Sequence, residues 1–308
     1  MSANLKHFIF GNACMLQAVL FWGINIPVTK ALIPEWMTAD SISAVRLIGG
    51  CCLFWMASFF WKGESIRKGD WLKIILGGMI GLFAFIYLFI ISLRFGSAID
   101  ISIIMTLPPM FVILIGVFFL HQRPTIIEYV GIIVSFIGAV IVILGGAHSS
   151  ASAPNPLLGD ILAILSSICF AFYLVILEKP SKEYHPISLL RWVYLFAAIP
   201  GLFLLHGFSE LPILNCKLAI PWLQIGFILF CPTFFAYFLV QPAEKNIGSE
   251  LASLYQYLVP VVAAIAAVCM GMETISWIQV IAMCVIVLGM GITTAGKKTR
   301  VKKESSGS

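Results

Sequence analysis

Hydroxyl and amide side chains recur at helical spacing inside the apolar stretches of this 308-residue chain. Ser249, Ser253, Gln256 and Pro260 follow steps of 4, 3 and 4, which keeps them on one helical stripe with Tyr257 beside it. Thr233, Tyr237, Gln241 and Glu244 make a second stripe, Ser102, Thr106 and Pro109 a third, and Trp22, Asn25 and Thr29 a fourth. Such groups offer reversible hydrogen bonds to a small solute. Asn25, Gln241 and Gln256, with Tyr237, carry most of the expectation, because an amide needs more partners than one backbone carbonyl supplies. Serine and threonine can instead close bonds to their own helix or to a neighbouring one. Trp22 and Tyr173 would add aromatic walls suited to a small zwitterion or a largely apolar metabolite. Packing is the competing use of such rings.

A second set of residues could move. Asp100 and Glu250 lie one turn into segments that open Gly96-Ser97 and Gly248-Ser249, where the helix dipole favours a carboxylate. Each either caps its helix or closes a gate with a nearby base, Arg94 for Asp100 and Lys245 for Glu250. Pro108, Pro109 and Pro260 interrupt main-chain hydrogen bonding, so hinges or kinks are expected there. Arg46 and Arg191 read as structural, each near one end of its span and able to snorkel or satisfy carbonyls.

These two segments are copies of each other. Gly96, Ser97 and Pro108 return as Gly248, Ser249 and Pro260, always 152 positions later, and Phe83-Ala84 returns as Phe235-Ala236 at the same offset. The chain therefore reads as a doubled unit. Paired interrupted helices in matching positions of a membrane protein point to a transport site.

Composition supports a membrane. The chain is 60% hydrophobic and 11% charged, against roughly 25% charged in soluble proteins. Ten apolar spans of bilayer-crossing length are expected at Phe8–Pro27, Ser41–Trp61, Trp71–Leu93, Ala98–Leu120, Ile126–Gly145, Leu158–Leu177, Ile187–Gly207, Trp222–Gln241, Ser249–Met270 and Ile275–Ala295. The first could be mistaken for a cleaved signal peptide, but it carries Gln17 and Asn25 and lacks a clear small-residue cleavage site. The domain reading is a first five-helix repeat over 1–146, a linker over 147–157, a second repeat over 158–296 and a basic cytoplasmic tail over 297–308. Residues Glu304 to Ser308 are expected to be disordered. With both termini cytoplasmic, fourteen Lys and Arg fall on the inner side and three, Lys30, Arg94 and Lys217, on the outer. That asymmetry orients the chain. An odd number of spans per half then inverts one half relative to the other.

Several functions are excluded. His7, His121, His148, His185 and His206 are scattered over gaps and ends, and no HExxH, paired-aspartate or glycine-rich phosphate motif occurs. No enzyme, cofactor or metal is expected. A channel would want a continuous polar or charged ring, which the chain lacks. The eight cysteines, seven of them inside apolar segments, form no CxxC pair and read as free thiols. The +5 net charge lies in the gaps and tail, as orientation requires, and implies no nucleic acid.

Leu20-Phe21-Trp22-Gly23-Ile24-Asn25 resembles the opening helix of EamA-like proteins of the drug/metabolite transporter superfamily, and Cys169-Phe170-Ala171-Phe172-Tyr173 answers it in the second half. Arg46 and Arg191, just inside the second helix of each half, and Gly271-Met272-Glu273 at the end of a fourth helix are similar to that family too. The first-half position matching Glu273 is His121, a departure. The resemblance spans the chain. It implies an all-α polytopic fold of ten transmembrane helices, two inverted five-helix repeats around a central cavity. It also implies export of small metabolites such as amino acids.

The expected function is alternating-access transport by facilitated diffusion or exchange, in the cell inner membrane, by a monomer whose partners are lipid and a small-molecule substrate. Proton-coupled efflux is the alternative; against it, the first helix holds no acid, and Asp160 and Glu178 lie at the ends of its counterpart. A non-transporting receptor or scaffold is the second alternative.

Overall fold

Long apolar runs in hydrocarbon must satisfy every backbone polar group internally, which leaves helices as the economical solution. The computed structural model describes residues 3–60, 64–120, 124–146, 153–247 and 255–306, and among them there is no strand. The helices are α1 (Ala3–Ala31), α2 (Ala39–Phe59), α3 (Lys68–Phe95), α4 (Ala98–Ile104), α5 (Pro108–Leu120), α6 (Ile126–Gly146), α7 (Pro156–Glu183) and α8 (Pro186–Leu202). They continue as α9 (Ala219–Phe230, extended through Cys231–Phe235 into Ala236–Ile247), α10 (Val259–Cys269) and α11 (Trp277–Ser306). Nine segments among the described residues are long and apolar enough to cross a membrane, α4 and α5 together making one, and the shorter apolar stretch Gln256–Cys269 supplies the tenth. The protein is an all-α, multi-pass membrane protein with a ten-helix bundle. Its outer face carries exposed Ile133, Phe136 and Leu288.

Local chemistry sets the helix starts. Thr38 accepts from the Ser41 amide at 3.1 Å to open α2, and Asn155 accepts from the Leu158 amide at 3.2 Å to open α7. Pro156 and Pro186 occupy first turns, where a missing N–H costs nothing. Pro27 and Pro200 are instead carried inside helices, so α1 runs on to Ala31 beyond its expected end. At the other terminus α11 continues to Ser306. The polar end expected to be disordered is helical that far, with no proline or glycine between Gly296 and Ser306 to stop it.

Both fourth helices are interrupted. Residues 105–107 leave the helix between α4 and α5, with Pro108 opening α5. In the second half, the tighter turn Gln256–Leu258 precedes α10 and its Pro260; it lies 152 positions after 104–106. The third helices match as well. π-helical stretches occur at Gly77–Phe83 in α3 and at Cys231–Phe235 in α9, and 231–235 is 152 positions after 79–83. All eight cysteines are free.

The fifth helix of each half, α6 and α11, pack with their backbones nearly touching. A Cβ at Gly289 would come 2.5 Å from both the amide and the hydroxyl of Ser135, and one at Gly138 would come 2.5 Å from Ile286. Gly291, two residues along the same helix, has nothing within 4 Å. Gly289→Leu should therefore lose about 1–3 kcal/mol from overpacking, read as a lower melting temperature in detergent, whereas Gly291→Leu should leave it unchanged. Equal effects at the two positions would refute the close-packed seam.

Candidate substrate site and gate

The break before α4 creates a buried polar centre. Helix α4 begins after Gly96, and its first amides need acceptors that hydrocarbon cannot provide. Glu273, from the loop between α10 and α11 in the other half, supplies them: its carboxylate accepts from the amides of Ala98 at 2.7 Å and Ile99 at 3.1 Å, and from the Ser97 hydroxyl at 2.7 Å. Lys30, at the end of α1, completes the centre. Its Nζ lies 2.9 Å from Glu273 and donates at 2.6 Å to the Gly96 carbonyl. The side chains of Lys30 and Glu273 are only 6% and 1% exposed. Burial alone would raise the Glu273 carboxyl, but Lys30, Ser97 and the Ala98 amide together hold it below its ordinary value. Since the folded value is depressed, the stabilisation is complete above the ordinary glutamate range, about 4.3, and is lost only as pH falls through the lowered value. The centre therefore holds at neutral pH.

Lys30 was expected as a surface charge and Glu273 only as a motif end; the pairing across 243 positions has no local signal. The expected gate pairs fare differently. Asp100 is buried, yet Arg94 is exposed with its guanidinium 5.4 Å from the ring of Phe95. Arg94 closes α3 and faces away, so the partner of Asp100 is Gln279, which donates to Oδ1 at 2.7 Å. Glu250 lies outside the described residues, as does the side chain of Lys245.

Asp160 joins this end of the bundle. The start of α7 is pinned by the Asn155 amide, which donates to the Phe95 carbonyl at 3.0 Å, and Gly159 lies against Gly96. Asp160, near the start of α7 as expected, is thereby fully buried and close enough to Asp100 to interact electrostatically. Among the described residues neither Asp160 oxygen nor Asp100 Oδ2 has a hydrogen-bond partner.

Deeper in the bundle stands Arg46 of α2. It does not snorkel. It is 7% exposed, its Nε donates to Thr233 Oγ1 at 3.2 Å, and its Nη1 is buried without a partner among the described residues. Thr233 sits in the π-helical stretch of α9 and returns its own proton to the Ile228 carbonyl at 2.8 Å. Tyr194 of α8 and Tyr237 of α9 are the electrostatic neighbours of the guanidinium. Phe54, two turns along α2, packs against Tyr194, Phe234 and Tyr237 at centroid distances of 5.0, 5.2 and 6.3 Å. Arg191, the counterpart in α8, stands over Trp55 and Trp192 at 5.5 and 5.6 Å and donates to the Glu64 carbonyl at 3.5 Å.

The other sequence-selected residues divide. Tyr173 is buried against Gly81 and near enough to Tyr237 to interact with it, which joins it to the tyrosine group. Trp22 donates to the Pro232 carbonyl at 3.3 Å, beside Thr233. Asn25 is buried and accepts from Thr29 at 3.2 Å. Ser102 and Thr106 close onto the Ile99 and Ile103 carbonyls of their own helix at 2.6 and 2.7 Å, the structural use of such residues. Gln256 is exposed. Ser253 and the side chain of Gln241 lie outside the described residues. Pro108, Pro109 and Pro260 all sit in the first turn after a break.

The openings lie at the end opposite Lys30. A cavity of about 230 Å³ is lined by Phe54, Leu190, Tyr237, Phe238 and Pro242 together with the His185–Ile187 corner. Another, of about 670 Å³, is lined by Lys73, Ile115, Phe172, Glu178, Lys179 and Lys182 among others. No three His, Cys, Asp or Glu side chains meet as metal ligands among the described residues.

The model of the EamA-like transporter family matches residues 9–144 and again 157–295. The uncharacterized transporter YyaM of Bacillus subtilis (strain 168) is 28% identical over 79% of this chain and 78% of its own length. An uncharacterized transporter of Archaeoglobus fulgidus is 26% identical over 89% and 95%. The uncharacterized inner membrane transporter YedA of Escherichia coli (strain K12) is 29% identical over 56% and 54%. A solved crystal structure superimposes with a TM-score of 0.61 at 18% identity, covering 95% of this chain and 98% of the other, which shows a shared fold.

Removing one partner of a buried pair typically costs about 3–5 kcal/mol, whereas removing both charges can be close to neutral. Lys30→Met should accordingly lower the melting temperature sharply, and adding Glu273→Gln should recover part of the loss. A double variant as unstable as the two single losses summed would show that the two charges are not coupled.

Proposed function

The chain belongs to the EamA-like transporter family, and from that premise we propose that it carries small metabolites, amino acids among them, outward across the cell inner membrane by alternating access. The cycle is facilitated diffusion or exchange. The observation that carries the reading is the Lys30–Glu273 pair, a buried contact between the halves of a doubled chain that sits on the tip of an interrupted helix. Such a contact can close one mouth of a central site. The Lys and Arg asymmetry supports cytoplasmic termini, and the Lys30 end is then external. In that orientation the structure corresponds to a state sealed outside, with its cavities on the cytoplasmic side.

Substrate contacts are assigned to Trp22, Asn25, Tyr173 and Tyr237, with Gln241 and Gln256 approaching from the second half. Pro108, Pro109 and Pro260 are the hinges, since each follows a stretch already without regular helical hydrogen bonds. Asp100 and Glu250 are assigned to the moving ends of the same helices. A receptor or scaffold would not need paired helix breaks in matching positions. Counterflow in proteoliposomes tests the reading: saturable exchange of a labelled amino acid or related metabolite should be seen, and Asn25→Ala with Gln241→Ala and Gln256→Ala should reduce it at least about tenfold, the loss of roughly one hydrogen bond. Exchange untouched by the triple variant would remove these residues from the site.

Proton coupling is the second reading, favoured by Asp100 and Asp160. Both carboxyl groups are buried, and among the described residues three of their four oxygens lack a hydrogen-bond partner. Under this reading a pH gradient drives accumulation and Asp160→Asn abolishes the drive while leaving counterflow intact. Accumulation indifferent to the gradient in the native protein would leave facilitated diffusion or exchange as the mode.

A further inference from the structure

We propose that Arg46 is the anchor for a substrate carboxylate, so that the molecules carried are small monocarboxylates with an apolar or aromatic body. This rests on the carrier reading above and adds the chemical class that the site selects.

Arg46 is a permanently charged group in the interior of a membrane bundle. Such a charge is normally matched by an anion, a carbonyl cluster or water in a cavity. Among the described residues one bond, Nε to Thr233, uses a single one of five N–H donors. Nη1 is nine-tenths shielded and unpartnered. No ion pair forms between Arg46 and any described Asp or Glu, and the titratable neighbours that bear on it are the neutral hydroxyls of Tyr194 and Tyr237. The missing anion is then the ligand.

The surroundings define the rest of that ligand. Arg46, Gly50 and Phe54 follow steps of four along one face of α2. Between cation and aromatic ring, Gly50 lets the Tyr194 ring close against the α2 backbone: a Cβ there would stand 2.5 Å from that ring and 3.1 Å from the Thr233 methyl. Beyond it, Phe54 and Tyr237 also line the cavity of about 230 Å³. A carboxylate that reaches the guanidinium fork from that opening must turn the Tyr194 ring aside, and the body of the molecule then lies along the aromatic faces of Phe54 and Tyr237. One cation suits a monoanion. A phosphate dianion would call for a second cation, and none bears on Arg46. An ammonium group, where the substrate has one, can lie over the ring faces.

The test uses the purified full-length protein in detergent and in proteoliposomes. Leucine, phenylalanine, 4-methylpentanoate and 3-phenylpropanoate are compared with their primary amides and with inorganic phosphate, by thermal stabilisation and by counterflow. Carboxylates should stabilise the native protein and amides and phosphate should not. Arg46→Gln should weaken carboxylate binding about a hundredfold or more, the scale for cutting one side of a buried charge pair, and Arg46→Lys should restore part of it. Thr233→Val keeps the charge and should change affinity far less, which guards against a variant that merely misfolds. Carboxylate stabilisation that depends on Arg46 without any counterflow would keep the anchor and discard the carrier. Counterflow equal for acids and amides, or unchanged in Arg46→Gln, would discard the anchor and keep the carrier. Stabilisation by phosphate in place of carboxylates, or by none of the compounds, would overturn the proposal.

Discussion

A helix that starts inside a membrane protein exposes amides that no water reaches, and the break at Gly96-Ser97 makes such a start. One carboxylate answers it. Glu273 accepts from two of the first amides of α4 and from the Ser97 hydroxyl, while Lys30 balances its charge and takes up the Gly96 carbonyl. Sites that a plain membrane helix would never present are satisfied by groups contributed from α1 and from the far half of the chain. The arrangement of α1, α4 and α11 at this end follows from that requirement. Gln279, two residues into α11, extends it by holding Asp100. The same need explains why Asp160 is drawn inside: pinning Asn155 to the end of α3 carries the first turn of α7 into the polar centre.

The charges are segregated along the bundle axis. Carboxylates gather at the Lys30 end, where one cation meets Glu273, Asp100 and Asp160, and the unmatched cation Arg46 lies deeper among tyrosines. A uniform interior would let a guanidinium and a carboxylate find each other and neutralise, as buried charges usually do. Their separation by packed apolar layers, with Ile101 and Leu47 fully buried, keeps both kinds of site unsatisfied by the protein itself. Groups left unsatisfied are the ones able to respond to a solute or a proton.

Much of the architecture was legible because it is written in periodicity. Apolar runs of about twenty residues located the spans, and the constant offset of 152 between Gly96 and Gly248 revealed the doubling before any contact was known. The prolines foretold the breaks on either side of 105–107 and at 256–258. The polar centre was not legible in the same way. Lys30 and Glu273 are 243 positions apart, and nothing in either neighbourhood distinguishes a buried ion pair from two loop charges. The burial of Arg46 was hidden for a related reason: distance from a span end measures depth along the helix but not which way the side chain faces. Helical spacing correctly grouped Thr233 with Tyr237, yet could not tell that Ser102 and Thr106 turn back to their own carbonyls.

Opening the sealed end is the step that any transport cycle must achieve. Drawing Glu273 away from α4 would strip a carboxylate of Lys30 and leave several amides without acceptors, which is prohibitive while the region is dry. Water entering from the mouth changes the balance, since it can solvate the carboxylate, the ammonium and the freed amides together. Separation of the halves and hydration must therefore occur as one event, and a bound solute can favour it only by interacting differently with the two states. The break at 105–107 lies on the helix whose first turn Glu273 caps, so motion of α4 at the mouth is mechanically linked to the interior through Met105, Thr106 and Leu107. A continuous helix would transmit that motion rigidly to the far side. An interrupted one would let the first turn of α4 release while α5 stays packed, which is how a proline at this depth could serve such a cycle.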